Sequence, residues 1–271
     1  MLKYSSLTFP LQRLKRRYRQ LMRKPSPEFF SEIGIIHGIL TRSRNAGKVM
    51  IDVGAQYGES FFPFRLYGWR ILTFEPDPDP RKQSALKALT DKYVTVARVA
   101  LSDRKSESAS FYTSEESTGI SSLSAFRDTH RLSAEVQVST LDHEIAKYEV
   151  SRVDFLKIDT EGHDFFVLRG FPWNRAQVRP RVILCEFEDR KTKPLGYVWT
   201  EVADFLVAHS YIVFVSEWFP ITNYGSVHRW RAISRYPAPL LDGSAWGNLA
   251  AFADGDEAQR FELLAKAHLA K

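Results

Sequence analysis

Carboxylates recur at the ends of apolar runs in this chain of 271 residues. They are Asp52, Glu75, Asp103, Asp159 with Glu161, and Glu186 with Glu188. A carboxylate is costly to bury unless a partner compensates its charge, and ligands of open α/β sheets bind beyond the carboxyl ends of the strands. Because parallel strands end at the same edge of a sheet, these acids predict one polar ligand site at that edge.

The first run continues into a glycine turn, and residues 49–60 have the sequence VMIDVGAQYGES. Gly54 and Gly58 let the backbone turn tightly and come close to a ligand. The dinucleotide motif G-x-G-x-x-G is absent, because Gln56 and Glu59 stand where it needs glycines. Glu59 would also repel a phosphate. The turn favours a ligand with hydroxyls and a cationic or zwitterionic end, such as S-adenosylmethionine, although an ordinary strand and turn is the alternative.

Further cofactor contacts are predicted from their positions after the turn. Glu75 follows the turn by about 20 positions, where an acidic residue can accept hydrogen bonds from both ribose hydroxyls. Small apolar residues at the end of the third run could flank an adenine ring, with Ser102 or Asp103 at its exocyclic amine. The predicted cofactor-binding set is Asp52, Gly54, Ala55, Gly58, Glu75, Pro76, Ala100, Leu101, Ser102 and Asp159.

Periodicity and turn residues predict the elements that position these side chains. Short apolar runs bounded by turn residues predict strands buried in a parallel sheet. Ser26 and Pro27 predict the start of a helix that runs to about Leu40. A short helix over residues 59–67 is expected to break at Pro63. The later runs YIVFVSEW and VHRWRAISR predict an antiparallel edge pair.

Seven motifs lie in order between about residues 49 and 188: IDVGAQYG, TFEPDP, VALSD, GISSL, VSTLD, FLKIDTEGHDFFVLRG and VILCEFE. Together they resemble the FkbM family of S-adenosylmethionine-dependent methyltransferases, although Gln56 and Tyr57 differ from the residues more usual after the first glycine. The resemblance implies an α/β, Rossmann-like class I methyltransferase fold. Such a fold has a mostly parallel seven-stranded sheet with an antiparallel edge pair and helices on both faces. It also implies O-methylation of a sugar, a glycolipid or another natural product.

Methyl transfer from a sulfonium to a hydroxyl needs a base that takes the hydroxyl proton, or a metal that lowers its pKa. His163 is the first choice for the base, because an imidazole titrates near neutral pH. Asp159 suits the methionine amino group or the acceptor, and Glu186 suits either catalysis or binding. Alternatively, Asp159, Glu186 and Glu188 could bind Mg²⁺ through oxygen ligands, although no tight metal-binding spacing supports this. Each acid could also be an ordinary solvated or ion-paired loop residue.

Residues 103–142 predict an acceptor-binding element. SASFYTS and VQVSTLD alternate apolar and polar residues, which predicts two antiparallel strands, and the loop between them is rich in Ser, Thr and Gly. Ser121 and Ser122 resemble the family's paired serines and suit a polyhydroxylated acceptor, although they could simply cap turns. Glu161 and Trp218 complete the predicted acceptor-binding set. Trp218 belongs to a group of aromatic residues, with Phe219, Tyr224 and Trp230, that could stack on a sugar or form core.

Length and composition favour one α/β domain with short terminal additions. We predict a basic amphipathic helix over residues 1–24 and a methyltransferase domain over residues 25–240, with its core at 45–235. A C-terminal helical tail over residues 241–271, with its helix from about Asp256 to Leu269, would cover an edge or form a homodimer contact. No apolar stretch approaches the ~20 residues of a membrane span. The single cysteine, Cys185, excludes an internal disulfide and favours a reducing cytoplasm.

The net charge of +6 is concentrated at the N-terminus. Residues 1–24 carry eight Lys and Arg and no acid, which leaves −2 for the rest of the chain. We therefore expect no nucleic-acid partner. Apolar residues recur at intervals of three and four in this segment, so the basic helix could lie on an anionic membrane surface, at the inner face of the membrane. Packing on its own domain or on a partner subunit is the alternative.

Two other function classes stay open. A nucleic-acid or protein methyltransferase would use the same cofactor site with another acceptor surface, although the motif [DN]-P-P-[YFW] of amino-group methylation on bases is absent. A noncatalytic, membrane-associated interaction protein could also retain the fold. The intact acidic strand ends argue against that second alternative.

Overall fold

The computed structural model describes residues 30–42, 47–221 and 228–269. The helix predicted over residues 1–24 and Tyr224 lie outside the described residues. The strands are β1 (Val49–Val53), β2 (Arg70–Phe74), β3 (Val94–Ala97), β4 (Ala100–Leu101), β5 (Ser106–Ser114), β6 (His130–Ser139), β7 (Phe155–Ile158), β8 (Val182–Glu188), β9 (Ile212–Trp218), β10 (Trp230–Arg235) and β11 (Trp246–Phe252). The helices are α1 (Glu32–Leu40), α2 (Phe62–Leu66), α3 (Pro80–Leu89), α4 (Leu141–Lys147), α5 (Asp164–Arg169), α6 (Asp189–Thr192), α7 (Trp199–Ala208) and α8 (Gly255–Leu269).

The main sheet has eight strands in the order β10-β9-β11-β8-β7-β1-β2-β3. The five strands from β8 to β3 are parallel, as the apolar runs predicted, and β1 lies at their centre with all five residues buried. Burial on both faces explains why these strands are almost continuously apolar. Their shared carboxyl edge is where the acidic residues collect.

The prediction of a helical tail over residues 241–271 needs correction, because residues Trp246–Phe252 within it form strand β11. This strand inserts between β8 and β9 and is antiparallel to both. The predicted pair of β9 and β10 is antiparallel, but the added strand gives a sheet of eight rather than seven. Leu249 and Phe252 are fully buried there. A short apolar run does not by itself distinguish a strand from a buried helix, which is why the pattern misled. The helix predicted from about Asp256 to Leu269 is present as α8.

A second sheet of three strands, in the order β4-β6-β5, contains the predicted antiparallel pair. β5 and β6 pair antiparallel, and β4 pairs with β6 in parallel. Residues 115–129 connect β5 to β6. The prediction of two antiparallel strands around a polar loop is therefore confirmed.

Two helix predictions need correction. The first described helix, α1, begins at Glu32, and its N-cap Ser31 accepts a hydrogen bond from the Gly34 backbone N–H at 3.1 Å. Ser26 and Pro27, the predicted start, lie outside the described residues. Pro63 lies in the first turn of α2 and does not break it, because that turn has no intrahelical partner for its N–H groups.

Two hydrophobic clusters pack on the main sheet. Along β1, Val49, Ile51 and Val53 belong to one cluster and Met50 to the other, as alternation along a strand requires. Cys185 is buried and unpaired. Within the described part of the chain, no helix has the length and apolar character needed to cross a bilayer.

Candidate active site

A cavity of about 240 Å³ opens at the carboxyl edge of the main sheet. Gly54 after β1, Glu75 after β2 and Asp159 after β7 all line it. It lies where the crossover connections of the sheet diverge on either side of β1, the usual binding position in open α/β sheets.

Most of the predicted site residues meet at this cavity. Those that line it are Gly54, Ala55, Glu75, Pro76, Ala100, Leu101, Ser121, Ser122, Asp159, Glu161 and His163. Asp52, Gly58, Ser102, Glu186 and Trp218 do not belong to its lining. Each of these five has another identifiable contact, described below.

Gly54 allows the ends of β1 and β7 to approach each other. Its φ is +80°, and a Cβ at this position would lie 1.9 Å from the carbonyl oxygen of Asp159. A Cβ on Gly58 would instead meet Leu89 and Phe61 at 2.7 Å. Gly58 is therefore needed for packing against the core, and its predicted approach to a ligand is not what the structure has.

Glu75 organises the turn after β1. Its Oε2 accepts a hydrogen bond from the Gln56 backbone N–H at 2.7 Å, and its Oε1 accepts one from the Asp77 N–H at 3.0 Å. Burial raises the pKa of Glu75, and the charge of Lys82 opposes this. Each carboxylate oxygen keeps a further lone pair for a ligand hydroxyl. Lys82 also lines the cavity and pairs with Asp77 at 2.6 Å, a buried ion pair that the sequence analysis missed.

Lys157 lines the cavity and joins the ends of β1 and β7. Its Nζ donates to the Gly54 carbonyl at 2.9 Å and lies 3.2 Å from Asp159 Oδ2 and 3.5 Å from Asp52 Oδ1. Burial lowers the pKa of Lys157, but the two carboxylates more than offset this and raise it above its ordinary value. Asp52 is fully buried and also accepts a hydrogen bond from Ser60 Oγ at 2.5 Å. Asp52 therefore acts through Lys157, whose place inside the apolar run FLKI was an overlooked indication.

A second buried lysine, Lys191 in α6, stands among the acids at the ends of β7 and β8. Its Nζ lies 2.6 Å from Glu161 Oε2, 3.2 Å from Glu186 Oε2 and 3.0 Å from Glu188 Oε2. The Mg²⁺ hypothesis requires a cation among these carboxylates, and the ammonium already stands there. Burial still raises the pKa of Glu161 to about 7 and that of Glu186 well above its ordinary value, since Lys191 opposes only part of the effect.

His163 lies at the edge of the cavity with its ring packed on Phe166, at 4.5 Å between centroids. Its Nε2 is 3.0 Å from Ser102 Oγ, so Ser102 contacts the imidazole rather than the cavity. Burial lowers the pKa of His163 to about 4. The imidazole is therefore neutral at pH 7 and a weak base.

The loop of residues 115–129 closes the cavity opposite the sheet. Ser122 Oγ donates to the carbonyl oxygens of Thr160 and Glu161, at 3.3 and 3.1 Å, which ties the loop to the turn after β7. Ser121 Oγ and Thr160 Oγ1 are shielded from solvent and have no hydrogen-bond partner among the described residues. Both residues line the cavity, and Thr160 was not predicted.

Trp218 lies behind the residues that line the cavity. Its Nε1 donates to Glu32 Oε1 at 2.8 Å, and Trp230 stacks on Phe30 at 3.7 Å between centroids. Trp230 and the partly buried Trp218 therefore pack against the segment that leads into α1, whereas Phe219 is exposed. Ser31, the N-cap of α1, and Ile33 in its first turn line the cavity, which no sequence pattern indicated.

The sheet order and the acidic turns at its carboxyl edge match an α/β, Rossmann-like class I methyltransferase fold with eight strands instead of seven. A family model described as the methyltransferase FkbM domain matches residues 52–213, more than half of the chain. The chain therefore belongs to the FkbM methyltransferase family, as its motifs predicted, and it is an S-adenosylmethionine-dependent methyltransferase.

Comparison with solved structures gives distant similarities. A precorrin-6y C5,15-methyltransferase from Geobacter metallireducens GS-15 is 15% identical, with a TM-score of 0.39 over 81% of this chain and 87% of the other. A protein from Pyrococcus horikoshii, described as a candidate RNA methyltransferase, is 11% identical, with a TM-score of 0.41 over 89% and 96%. Because both similarities are low, the acceptors of these proteins are not transferred to this chain. No curated protein matches the sequence.

Proposed function

We propose that this protein transfers a methyl group from S-adenosylmethionine to a hydroxyl of a sugar, a glycolipid or another natural product. The supporting observation is the pair of shielded, unpartnered hydroxyls of Ser121 and Thr160 in the cavity. A buried hydroxyl without a hydrogen-bond partner destabilises the protein unless a ligand supplies that hydrogen bond. A polyhydroxylated acceptor can both donate to and accept from these groups, with Ser122 and Glu161 alongside.

The other side of the cavity fits the methyl donor. The spare lone pairs of Glu75 suit ribose hydroxyls, and the apolar side chains of Ala100 and Leu101 suit an adenine ring. Asp159, with 40% of its side chain exposed, suits the amino group of the methionine moiety. When bound, S-adenosylmethionine would supply an electrophilic methyl group. The residues of the chain then have to hold the acceptor oxygen in line with it and exclude water.

The acceptor hydroxyl also has to lose a proton. His163, Asp159 and Glu186 were predicted for catalysis. His163 and Asp159 line the cavity, whereas Glu186 lies behind the lining beside Lys191. His163 therefore stays a candidate base, although its low pKa weakens the proton transfer at neutral pH.

The first experiment is calorimetry of S-adenosylmethionine binding to the folded protein, to Glu75→Ala and to the surface control Glu107→Ala. We expect Glu75→Ala to weaken binding at least tenfold, since it removes the ribose acceptor and frees the Gln56 and Asp77 backbone N–H groups. Glu107→Ala should bind like the unmodified protein. If the folded, unmodified protein does not bind S-adenosylmethionine, the enzyme hypothesis is refuted and the noncatalytic alternative is favoured.

The acceptor class can be tested with S-adenosylmethionine carrying a tritiated methyl group. We expect the label in glycolipid or polysaccharide extracts, and mass spectrometry should identify O-methylated sugars. Label in the RNA or protein fraction would contradict this proposal and favour the nucleic-acid or protein alternative.

We also propose that residues 1–24 attach the protein to an anionic membrane surface, because their eight cations accompany an amphipathic pattern. Deletion of residues 1–24 should abolish co-sedimentation with anionic liposomes. If co-sedimentation persists, the attachment lies elsewhere. A homodimer through the C-terminal part stays a prediction that sedimentation velocity can check.

A further inference from the structure

Lys191 occupies a position in which a cation is surrounded by carboxylates. Three glutamates from two strand ends approach its Nζ at 2.6 to 3.2 Å, and its side chain is 1% exposed. Phe126 of the 115–129 loop covers it, with the ammonium 5.6 Å from the ring centroid. A buried lysine of this kind needs its partners, because an uncompensated ammonium in this setting would be strongly unfavourable.

The same acids would otherwise form a cation site. Carboxylate oxygens of Asp159, Glu161 and Glu186 lie within 4.8 Å of one another, a spacing that suits a divalent cation. Two of these three acids are ion-paired with the Lys191 ammonium, and Asp159 is paired with Lys157. A metal would have to compete with both fixed cations. The donor set therefore does not fit a resident Mg²⁺ ion.

Of the three glutamates around Lys191, Glu161 is the one that lines the cavity. It lines the cavity between Thr160 and His163, and its backbone φ is +58°, in the left-handed region that non-glycine residues rarely adopt. The charged groups around it are Lys191 on α6, Glu186 and Glu188 on β8, Asp159 in its own turn and Asp164 at the start of α5. This backbone conformation is unfavourable for a non-glycine residue, and such strain is typical of positions where a functional side chain is held in one place.

We propose that Glu161 takes the proton of the acceptor hydroxyl, and that Lys191 is the positioning residue for the Glu161 carboxylate. The Lys191 ammonium occupies the position that a divalent metal would otherwise take. This proposal rests on the methyltransferase function proposed above. The acceptor proton moves to a Glu161 carboxylate oxygen, the acceptor oxygen forms the new bond to the methyl carbon, and the electron pair of the breaking carbon–sulfur bond stays on sulfur. A thioether, a methyl ether and a protonated glutamate result, so charge is conserved, and Glu161 then returns its proton to solvent.

Glu161 suits this role better than His163 does. The imidazole Nε2 is engaged with Ser102, and burial leaves it a weak base. A carboxylate whose burial raises its pKa to about 7 can both take a proton and release it near neutral pH. The positive charge of Lys191 keeps the pKa of Glu161 from rising further, because it favours the ionised carboxylate.

The first test measures the protonation of Glu161 directly, without an acceptor. Carbon-13 NMR of protein labelled at the glutamate carboxyls should show one resonance with a midpoint near pH 7 that is absent from Glu161→Gln. Removal of an exposed acid in Glu107→Gln should leave that resonance in place. Lys191→Met should raise its midpoint by about one unit or more, whereas Lys191→Arg should keep it close to that of the unmodified protein. A Glu161 resonance that titrates with the exposed glutamates would overturn the proposal.

The second test asks whether Lys191 stands in place of a metal, using Mn²⁺ and electron paramagnetic resonance. The unmodified protein and Lys193→Ala, which removes a neighbouring exposed lysine, should bind no Mn²⁺ at these acids. Lys191→Ala should gain one Mn²⁺ site that disappears in Lys191→Ala/Glu186→Gln. Mn²⁺ binding by the unmodified protein that Glu186→Gln abolishes would overturn the proposal. A folded Lys191→Ala protein without Mn²⁺ binding would overturn it too.

Calorimetry separates this proposal from the function on which it rests. Glu161→Gln should bind S-adenosylmethionine within about twofold of the unmodified protein, because its carboxylate is assigned to the acceptor. If the unmodified protein fails to bind S-adenosylmethionine, the methyltransferase function fails, while the NMR and Mn²⁺ results still decide the relation between Lys191 and Glu161.

Discussion

Replacement of Gly54 by alanine tests whether the close approach of β1 and β7 builds the cavity. The new methyl group would lie 1.9 Å from the Asp159 carbonyl oxygen, so the two strand ends have to separate. Gly68 is a matched control. Its φ of +77° is close to the +80° of Gly54, but a Cβ there would meet nothing within 4 Å. The two variants therefore share the backbone penalty and differ in the steric clash.

The expected loss follows from these two contributions. Alanine at a left-handed position costs about 1–2 kcal/mol of folding free energy in either variant. Overpacking against the Asp159 backbone costs about 1–3 kcal/mol more in Gly54→Ala alone. With about 2 kcal/mol as the difference, Gly54→Ala should melt roughly 4–8 °C below Gly68→Ala.

Urea denaturation and thermal melting measure the two losses, and calorimetry measures binding of S-adenosylmethionine. Gly54→Ala should also weaken binding, because its carbonyl positions Lys157 and the turn itself lines the cavity. Gly68→Ala should bind normally. If both variants lose equal stability, the β1 and β7 ends relax without strain, and the inferred need for glycine at position 54 is wrong.

Two further predictions concern buried charge. Lys157→Met should lower the free energy of unfolding by about 3–5 kcal/mol at pH 7, because it leaves the buried Asp52 carboxylate without its ion-pair partner. This loss of unfolding free energy should shrink towards pH 5, since burial raises the pKa of Asp52 and a protonated Asp52 needs no cation. Urea denaturation should show that Lys157→Met/Asp52→Asn recovers part of the loss. An equal loss in Lys157→Met at both pH values would contradict the pairing of Asp52 with Lys157. Burial lowers the pKa of His37 from 6.5 to about 4, so the unfolded chain binds this proton more readily and stability should fall as the pH drops from 6.5 to 4. His37→Leu should flatten that fall and exposed His143→Leu should not; equal slopes in both variants would refute the assignment.

The parallel half of the fold could be predicted from the sequence because each strand carries its own evidence. The run from Val49 to Val53 is apolar except for Asp52, ends in a glycine turn and is buried along its whole length. The β5 and β6 hairpin likewise shows in the alternation of its residues. In these cases local pattern and tertiary environment agree, and the shared carboxyl edge follows from parallel pairing alone.

β11 could not be predicted in the same way, because its place depends on partners far away in sequence. Trp246 pairs with Glu188 on one side and with Trp218 on the other. Nothing within residues 246–252 specifies these partners, and a short apolar run near a helical segment fits helix as well as strand. The aromatic residues around Trp218 were ambiguous for a related reason. Their burial depends on Phe30, which stacks on Trp230 from the segment before α1.

The acids at the strand ends were predicted as one ligand-binding group, but the structure divides them by the lysine with which each is paired. Lys82 pairs with Asp77, Lys157 with Asp52 and Asp159, and Lys191 with Glu161, Glu186 and Glu188. Each lysine is buried, because acids at this edge lose their hydration and need a fixed cation in exchange. The paired acids still outnumber the three lysines, so a negative potential persists over the cavity wherever these acids stay ionised. That residual charge favours a ligand that carries a sulfonium and an ammonium.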